Sequence, residues 1–386
     1  MGEWKKYKIE DVCNTISDTY KGGAESVVLI NTSDVLEGKC LNHTWQPNEN
    51  LKGQFKKTFM RNDILYSEIR PANKRFAYVD FDAENYIAST KLMVLRHNDK
   101  ILPKYLYYIL KSQRIIDELQ LLAETRSGTF PQITFSELSR LEILLPDLAQ
   151  QKQIIDFAES LDDKIELNRR INANLELQAQ TLFNHWFVDF EFPNADGKPY
   201  KSSGGKLIYS PLGPIPEGWK VGNLGDLVKP RKGKNITRSQ VKDGDIPVIA
   251  GGLTPSCFHC ESNTLAPVIT VSASGANAGF VQLHHTPVWA SDSSYIDSTL
   301  TKYVYFIYVF LSIKQHVIYH KQQGCAQPHI YPSDLAELDM IVPNMVEIER
   351  FEKMCQPIFE TVGLNIRENI RLSQLRDTLL PKLIRN

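Results

Sequence analysis

The short motifs that mark most nucleotide and hydrolytic enzymes are missing from this 386-residue chain. There is no G-x-x-x-x-G-K-[ST] loop, so no ATPase is indicated, and no G-x-G-x-x-G follows a strand. No [DN]-P-P-[YF] tetrad is present to hold a flipped base. G-x-S-x-G, H-E-x-x-H and a paired Cys–His nucleophile are also lacking. Cysteine is scarce: six residues, mostly isolated, do not make a disulfide framework and fit a reducing cytoplasm. Cys257 and Cys260 form one C-x-x-C, with His259 between them and His284 and His285 downstream. A zinc site needs four ligands and no second pair exists, so no metal is expected. The longest apolar run, Tyr303 to Leu311, is too short and too aromatic to span a bilayer. Residues 2–12 lack the apolar stretch of a secretory signal. The formal net charge is −1, so only local basic patches could favour nucleic acid. With 42% hydrophobic and 23% charged residues, the composition is that of an ordinary globular chain of two or three domains.

What is present is a heptad pattern, found twice. From Pro146 to Phe190, apolar residues recur on two tracks. One carries Ile154, Leu161, Leu175 and Leu182, the other Ala158, Ile165, Ala179 and Trp186. Such tracks predict a long amphipathic helix with a coiled-coil seam. Asn168 and Asn172 interrupt it. Shifted by 197 residues, the pattern returns from Pro343 to the C-terminus. Phe351, Ile358, Leu372 and Leu379 form the first track; Cys355, Val362 and Leu383 form the second, with Arg376 as its exception. Asn365 and Asn369 stand where Asn168 and Asn172 stood. A polar residue in a seam costs stability and fixes register, so the two helices are expected to pair with each other. Two ordinary amphipathic helices on separate cores would show the stripes but would not account for the constant offset. Pro357 predicts a kink or restart in the second helix.

The rest of the chain repeats as well. Trp4 to Val12 is answered by Trp219 to Leu227. A strand, Asp63 to Ser67, runs into a loop at 68–75, as Val268 to Ser272 runs into 273–279. Ala88-Ser89 is answered by Ala290-Ser291, and Lys104-Tyr-Leu-Tyr-Tyr108 by Lys302-Tyr-Val-Tyr-Phe306. Gly128 to Ile133 is matched by Gly324 to Ile330, with Gln132 and His329 at corresponding places. Two long copies signify a duplicated domain rather than a solenoid. Pro193 to Gly218, rich in Gly, Pro, Ser and Lys, reads as a linker. The expected order is a globular unit at 1–146, a helix at 147–190, a linker at 191–217, a globular unit at 218–343 and a helix at 344–386. The fold class is mixed α+β with a pseudo-twofold internal repeat. Antiparallel pairing would put the globular units at opposite ends of a rod. A helix of about 40 residues is about 60 Å long, beyond the roughly 34 Å of one B-DNA turn.

The segments LEILLPDLAQQKQI, LFNHWFVDFEF and SPLGPIPEGWKV, in this order within a duplicated chain, closely resemble the specificity subunit of type I restriction–modification enzymes. Gln150 stands where that family usually has Glu, and Val342 to Arg350 departs from its consensus. The resemblance implies two target recognition domains separated by two long antiparallel helices in a coiled coil. Each domain would read one half of a bipartite, asymmetric target in double-stranded DNA. The helices would set the unread spacer and dock two methyltransferase subunits, with two restriction subunits joining them. It also implies no catalysis by this chain. S-adenosylmethionine would sit on the methyltransferase, ATP and magnesium on the restriction subunit, and no cofactor on this chain.

DNA reading needs cations to position phosphates and side chains that present donors or acceptors to base edges. In the first unit the candidates are Lys52, Lys56, Lys57, Arg61, Glu68, Arg70, Asn73, Lys74 and Arg75. Pro71 stiffens the loop behind Arg70. In the second they are Lys229, Arg231, Lys232, Lys234, Arg238, Ser272, Ser274 and Asn277, with Gly275 and Gly279 allowing close backbone approach. Any of these cations could equally be a solvated surface group. A duplicated adaptor binding protein or carbohydrate, without DNA specificity, is the competing reading.

Overall fold

The computed structural model describes residues 3–49, 53–126, 130–322 and 328–384. They form two compact units, Met1–Ile165 with Ile370–Asn386, and Glu166–Asn369.

Each unit holds the same arrangement. In the first, Cys13–Ile16, Leu92–His97, Ile64–Ser67 and Phe76–Tyr78 lie side by side, all antiparallel. In the second the order is Arg231–Lys232, Ser293–Asp297, Val268–Ser272 and Val281–His284, again antiparallel. Ile64–Ser67 and Val268–Ser272 are buried at every residue, as central strands covered on both faces should be. Each unit has a second sheet, four-stranded in the first and three-stranded in the second. Ser26–Ile30 pairs parallel with Tyr86–Ser89, as Ile246–Ile249 does with Trp289–Ala290. The helices follow in the same order: α1 (Pro103–Leu110), α2 (Gln113–Arg126) and α3 (Phe135–Ser139) in one unit. In the other, after α4 (Leu148–Phe183), come α5 (Val304–Ile313), α6 (Gln315–His320) and α7 (Pro332–Ala336). Lys5–Lys8 pairs with Glu142–Leu145, and Lys220–Asn223 with Asp339–Val342, immediately before α4 and α8 (Met345–Ile384).

The compact units do not follow the expected five-part division, because each globular part draws a piece of both long helices into its core. In unit 1, Ile154, Ile155 and Ala158 pack in one cluster with Leu380 and Ile384. In unit 2, Ala179, Phe183, Trp186 and Phe187 share a core with Ile348, Phe351, Cys355 and Phe359. The seam stripe is also the face that covers the sheets. Burying about 25 cal/mol per Å² of it favours covering it twice over leaving it as a bare rod.

Two further expectations need correction. The segment read as a linker is folded. Leu207–Ser210 pairs with Gly213–Pro216, and Phe192 stacks on Trp219 with ring centroids 4.9 Å apart and on Tyr200 at 4.6 Å. Its glycines and prolines serve turns, and its aromatics supply the burial. Nor does α8 break at Pro357: the helix runs on from Met345 to Ile384. Pro357 lies on an exposed face, where solvent can satisfy the carbonyl it leaves unbonded. Near its end the first helix widens into a π-turn, Asn184–Val188. Among the described residues, no helix is long and apolar enough to cross a membrane.

The four seam asparagines all fall in unit 2 and meet there. Asn168 Nδ2 donates to Asn369 Oδ1 at 2.9 Å and to Glu368 at 2.7 Å. Asn365 Nδ2 donates to Asn172 Oδ1 at 2.8 Å. Rising numbers in α4 meet falling numbers in α8, so the pairing is antiparallel. In unit 1 the seam exception Arg376 is answered by Asp162, 2.5 Å away.

Candidate nucleic-acid interface

The first loop leaves the sheet at Ser67 and returns at Phe76. Its backbone is held from several sides. Glu68 N donates to Lys91 O at 3.0 Å, Ile133 N to Glu68 O at 2.8 Å, and Arg70 N to Pro131 O at 3.1 Å. Within this frame Arg70 has φ 44° and Lys74 has φ 52°, either side of the Pro71–Asn73 turn. Left-handed backbone at a non-glycine residue costs on the order of 1 kcal/mol or more and persists only where neighbours enforce it. The exposed guanidinium of Arg70 and the half-exposed ammonium of Lys74 have no partner among the described residues, and Asn73 is exposed beside them. Lys56 and Arg61 are exposed too.

Other candidates in this unit are committed to the protein. Lys57 Nζ donates to the carbonyls of Thr90 at 3.1 Å and Leu92 at 2.8 Å, and burial lowers its pKa. Arg75 donates to Ser33 O at 3.0 Å. Glu68 faces Lys91 at 3.7 Å. These groups fix the loop and its neighbours, which leaves little of them for a ligand. Lys52 lies outside the described residues.

The second loop repeats the frame. Ala273 N donates to Asp292 O at 3.1 Å, Ile330 N to Ala273 O at 2.9 Å, and Gly275 N to Pro328 O at 3.1 Å. Gly275 takes φ +80°, with open space where a side chain would be. Gly279 does something else: a Cβ there would lie 2.9 Å from Ile318 Cγ2, so its role is close packing rather than approach to a ligand. Ser272 is buried, its hydroxyl inside the sheet and without a partner among the described residues. The Ser274 hydroxyl donates to Asp292, and Asn277 Nδ2 to Gly251 O at 3.4 Å. Strand alternation and loop closure, neither legible from residue type, turned these three inward.

The basic segment runs beside this loop. Arg231 and Lys232 are exposed on the edge strand of the sheet. Lys234 N donates to Ala290 O at 2.9 Å, and its ammonium lies 5.9 Å from the ring centre of Trp289. The turn between Ala290 and Ser293 therefore touches both the basic segment and the loop. Lys229 and Arg238 are exposed and unpaired among the described residues. His259 is buried and its Nδ1 accepts from Lys242 N at 3.0 Å. Among the described residues no group of three or more His, Cys, Asp or Glu stands where it could hold a metal.

Two heads of one design, each offering a strained or glycine-bearing loop beside exposed cations, suit a two-part ligand. Comparison with known proteins decides the family. A family model described as the type I restriction modification DNA specificity domain matches residues 1–177 and again 216–366. The chain belongs to the type I restriction–modification specificity-subunit family. The HindI specificity subunit of Haemophilus influenzae is 32% identical across 100% of this chain and 99% of its own. The MjaIX specificity subunit of Methanocaldococcus jannaschii is 28% identical across 74% of this chain and 69% of its own. In fold, the chain is similar to the type I S subunit from M. genitalium, with a TM-score of 0.55 at 19% identity over 99% and 96% of the two chains. This specificity subunit thus has two recognition domains, and DNA and the other subunits of a type I system are its partners. An adaptor without DNA specificity has no support.

Sequence reasoning missed Lys91 and Asp292. Each sits just past one of the two Ala-Ser pairs, and that recurrence was the available signal.

Proposed function

We propose that each recognition domain reads one half of a bipartite DNA target through its frame-held loop, with neighbouring cations on the phosphates. The observation that carries this reading is the recurrence of one backbone frame under different side chains. Arg70 stands where the other loop has Gly275, each amide bonded to the carbonyl of a proline at 3.1 Å. A shared scaffold with exchanged contacts is what two different half-sites require.

The chain itself is non-catalytic and binds no cofactor. Two methyltransferase subunits carrying S-adenosylmethionine dock on the helices and methylate an adenine flipped from the stack. Exposed apolar side chains at repeat-related places, Leu167 and Leu364, support such docking. Two restriction subunits bring ATP and magnesium, and the assembly works in the cytoplasm. The unbroken α4 and α8 are consistent with helices that set the length of the unread spacer.

The test is reconstitution of the chain with its methyltransferase subunits, followed by mapping of methylated adenines. The reading requires a two-part motif that vanishes when the chain is omitted. Methylation independent of this chain would overturn it.

A further inference from the structure

The two reading frames can be superposed bond by bond. Ser67 N donates to Arg75 O as Ser272 N does to Phe280 O. Glu68 N meets Lys91 O as Ala273 N meets Asp292 O. Ile69 bridges Gln132 as Ser274 bridges His329. These equivalences put Lys91 and Asp292 at the same point of the two heads, on the turn that supports the loop. The side chains there differ in kind. Lys91 is half exposed, and its ammonium lies 3.3 Å from Gln132 Oε1 and 3.7 Å from Glu68 Oε2, two contacts that leave one of its three donors for a ligand. Asp292 takes the Ser274 hydroxyl on Oδ2, and its Oδ1 has no partner among the described residues.

We infer that Lys91 and Asp292 are specificity-determining residues that give the two half-sites opposite base preferences. This rests on the proposed reading of DNA by the two heads. A lysine only donates and an ionised aspartate only accepts. In the major groove guanine offers N7 and O6 as acceptors, while cytosine N4 and adenine N6 offer amino donors. The first head, with Lys91 bonded through its carbonyl to Glu68, two residues before Arg70, suits a guanine. The second, with Asp292 beside Gly275, suits a base bearing an amino group. A carboxylate near phosphates is unfavourable unless a donor answers it, which sharpens the preference at Asp292.

The experiment is methylome mapping with the assembled complex carrying Lys91→Gln, Asp292→Asn, or both Lys91→Asp and Asp292→Lys. Arg70→Ala identifies the half-motif governed by the first head. The inference expects Asp292→Asn to relax one amino-bearing position in the other half about ten-fold. Lys91→Gln should relax one guanine in the first half, and the exchange should alter both positions. An unchanged motif in all three would overturn it, as would changes falling in the wrong half. If a variant methylates nothing, binding of the assembled complex to duplexes altered one base at a time decides. Selective loss at one position supports the inference, and uniform loss overturns it. A wild-type complex without a two-part motif would instead defeat the reading on which it rests.

Discussion

Asn365 Nδ2 donates to Asn172 Oδ1 across 2.8 Å, and the same exchange with the helices' roles reversed joins Asn168 to Asn369 at 2.9 Å. Because the four residues are two pairs offset by 197 positions, one contact is the repeat image of the other. Removing one partner leaves a buried amide unsatisfied, which costs about 1–3 kcal/mol. Asn172→Ala and Asn365→Ala should each destabilise unit 2 by that amount in urea titration, and the double variant should cost less than their sum. Additive losses would show that the pair does not interact.

The loop makes two arginines separable. Arg75→Ala removes one exposed and one part-buried hydrogen bond from a charged donor, to the carbonyls of Ser33 and Val35, and should cost about 1 kcal/mol. Arg70→Gly should be neutral or stabilising by up to about 1 kcal/mol, because glycine adopts φ 44° without penalty. The same Arg70→Gly should weaken DNA binding by the assembled complex. Thermal melts beside binding titrations check both halves of this contrast.

Acid should loosen unit 2. Burial pushes His284 and His285 down to about 4, with neighbouring positive charge adding to it: His285 beside His284, and Arg367 beside His285. In the unfolded chain both protonate near 6.5. Between those values the unfolded state binds more protons, so stability falls as pH drops from about 6.5 to about 4. Glu352 acts oppositely. Burial raises it to about 7 although it accepts from Tyr305 N and Phe306 N, so its contribution declines as pH rises from about 4.5 to about 7. His285→Gln should flatten the measured acid slope and Glu352→Gln should steepen it.

Phosphate contacts should show in salt dependence. Lys229, Arg231, Lys232 and Arg238 are exposed, and each that meets a phosphate contributes about 0.9 to the slope of log K against log salt. Their substitution by Gln should lower that slope while weakening cognate and non-cognate duplexes alike. An unchanged slope would place these cations away from the DNA.

Much of this was legible beforehand, for physical reasons. A period of seven survives in any sequence that must bury one helix face, so Ile154 to Trp186 and Phe351 to Leu383 declared themselves, and the seam asparagines fixed their pairing. The parallel strand pairs and sheet order were not legible, since they depend on contacts far apart in sequence. Composition misled at 191–217, where Phe192, Tyr200 and Trp219 make a packed stack out of a stretch that looks flexible. Among the site residues, Arg70 and Lys74 showed in the sequence as cations flanking a proline turn. Lys57, Arg75 and Ser272 carried the same chemistry, yet their direction depends on neighbours 30 or more residues away in the first two cases and on strand pleat in the third. Asp292 carried one signal, its place after an Ala-Ser pair, but that pair aligns it with Thr90, and only the backbone bonds make it equivalent to Lys91.

The central claim is that the two heads read separately. The most direct test is methylome mapping of cells carrying the chain and its methyltransferase subunits, with wild-type sequence and with Arg70→Ala. The account predicts a two-part motif in which Arg70→Ala changes bases in one half and leaves the other intact. A contiguous motif, or one altered in both halves by that single substitution, would contradict it.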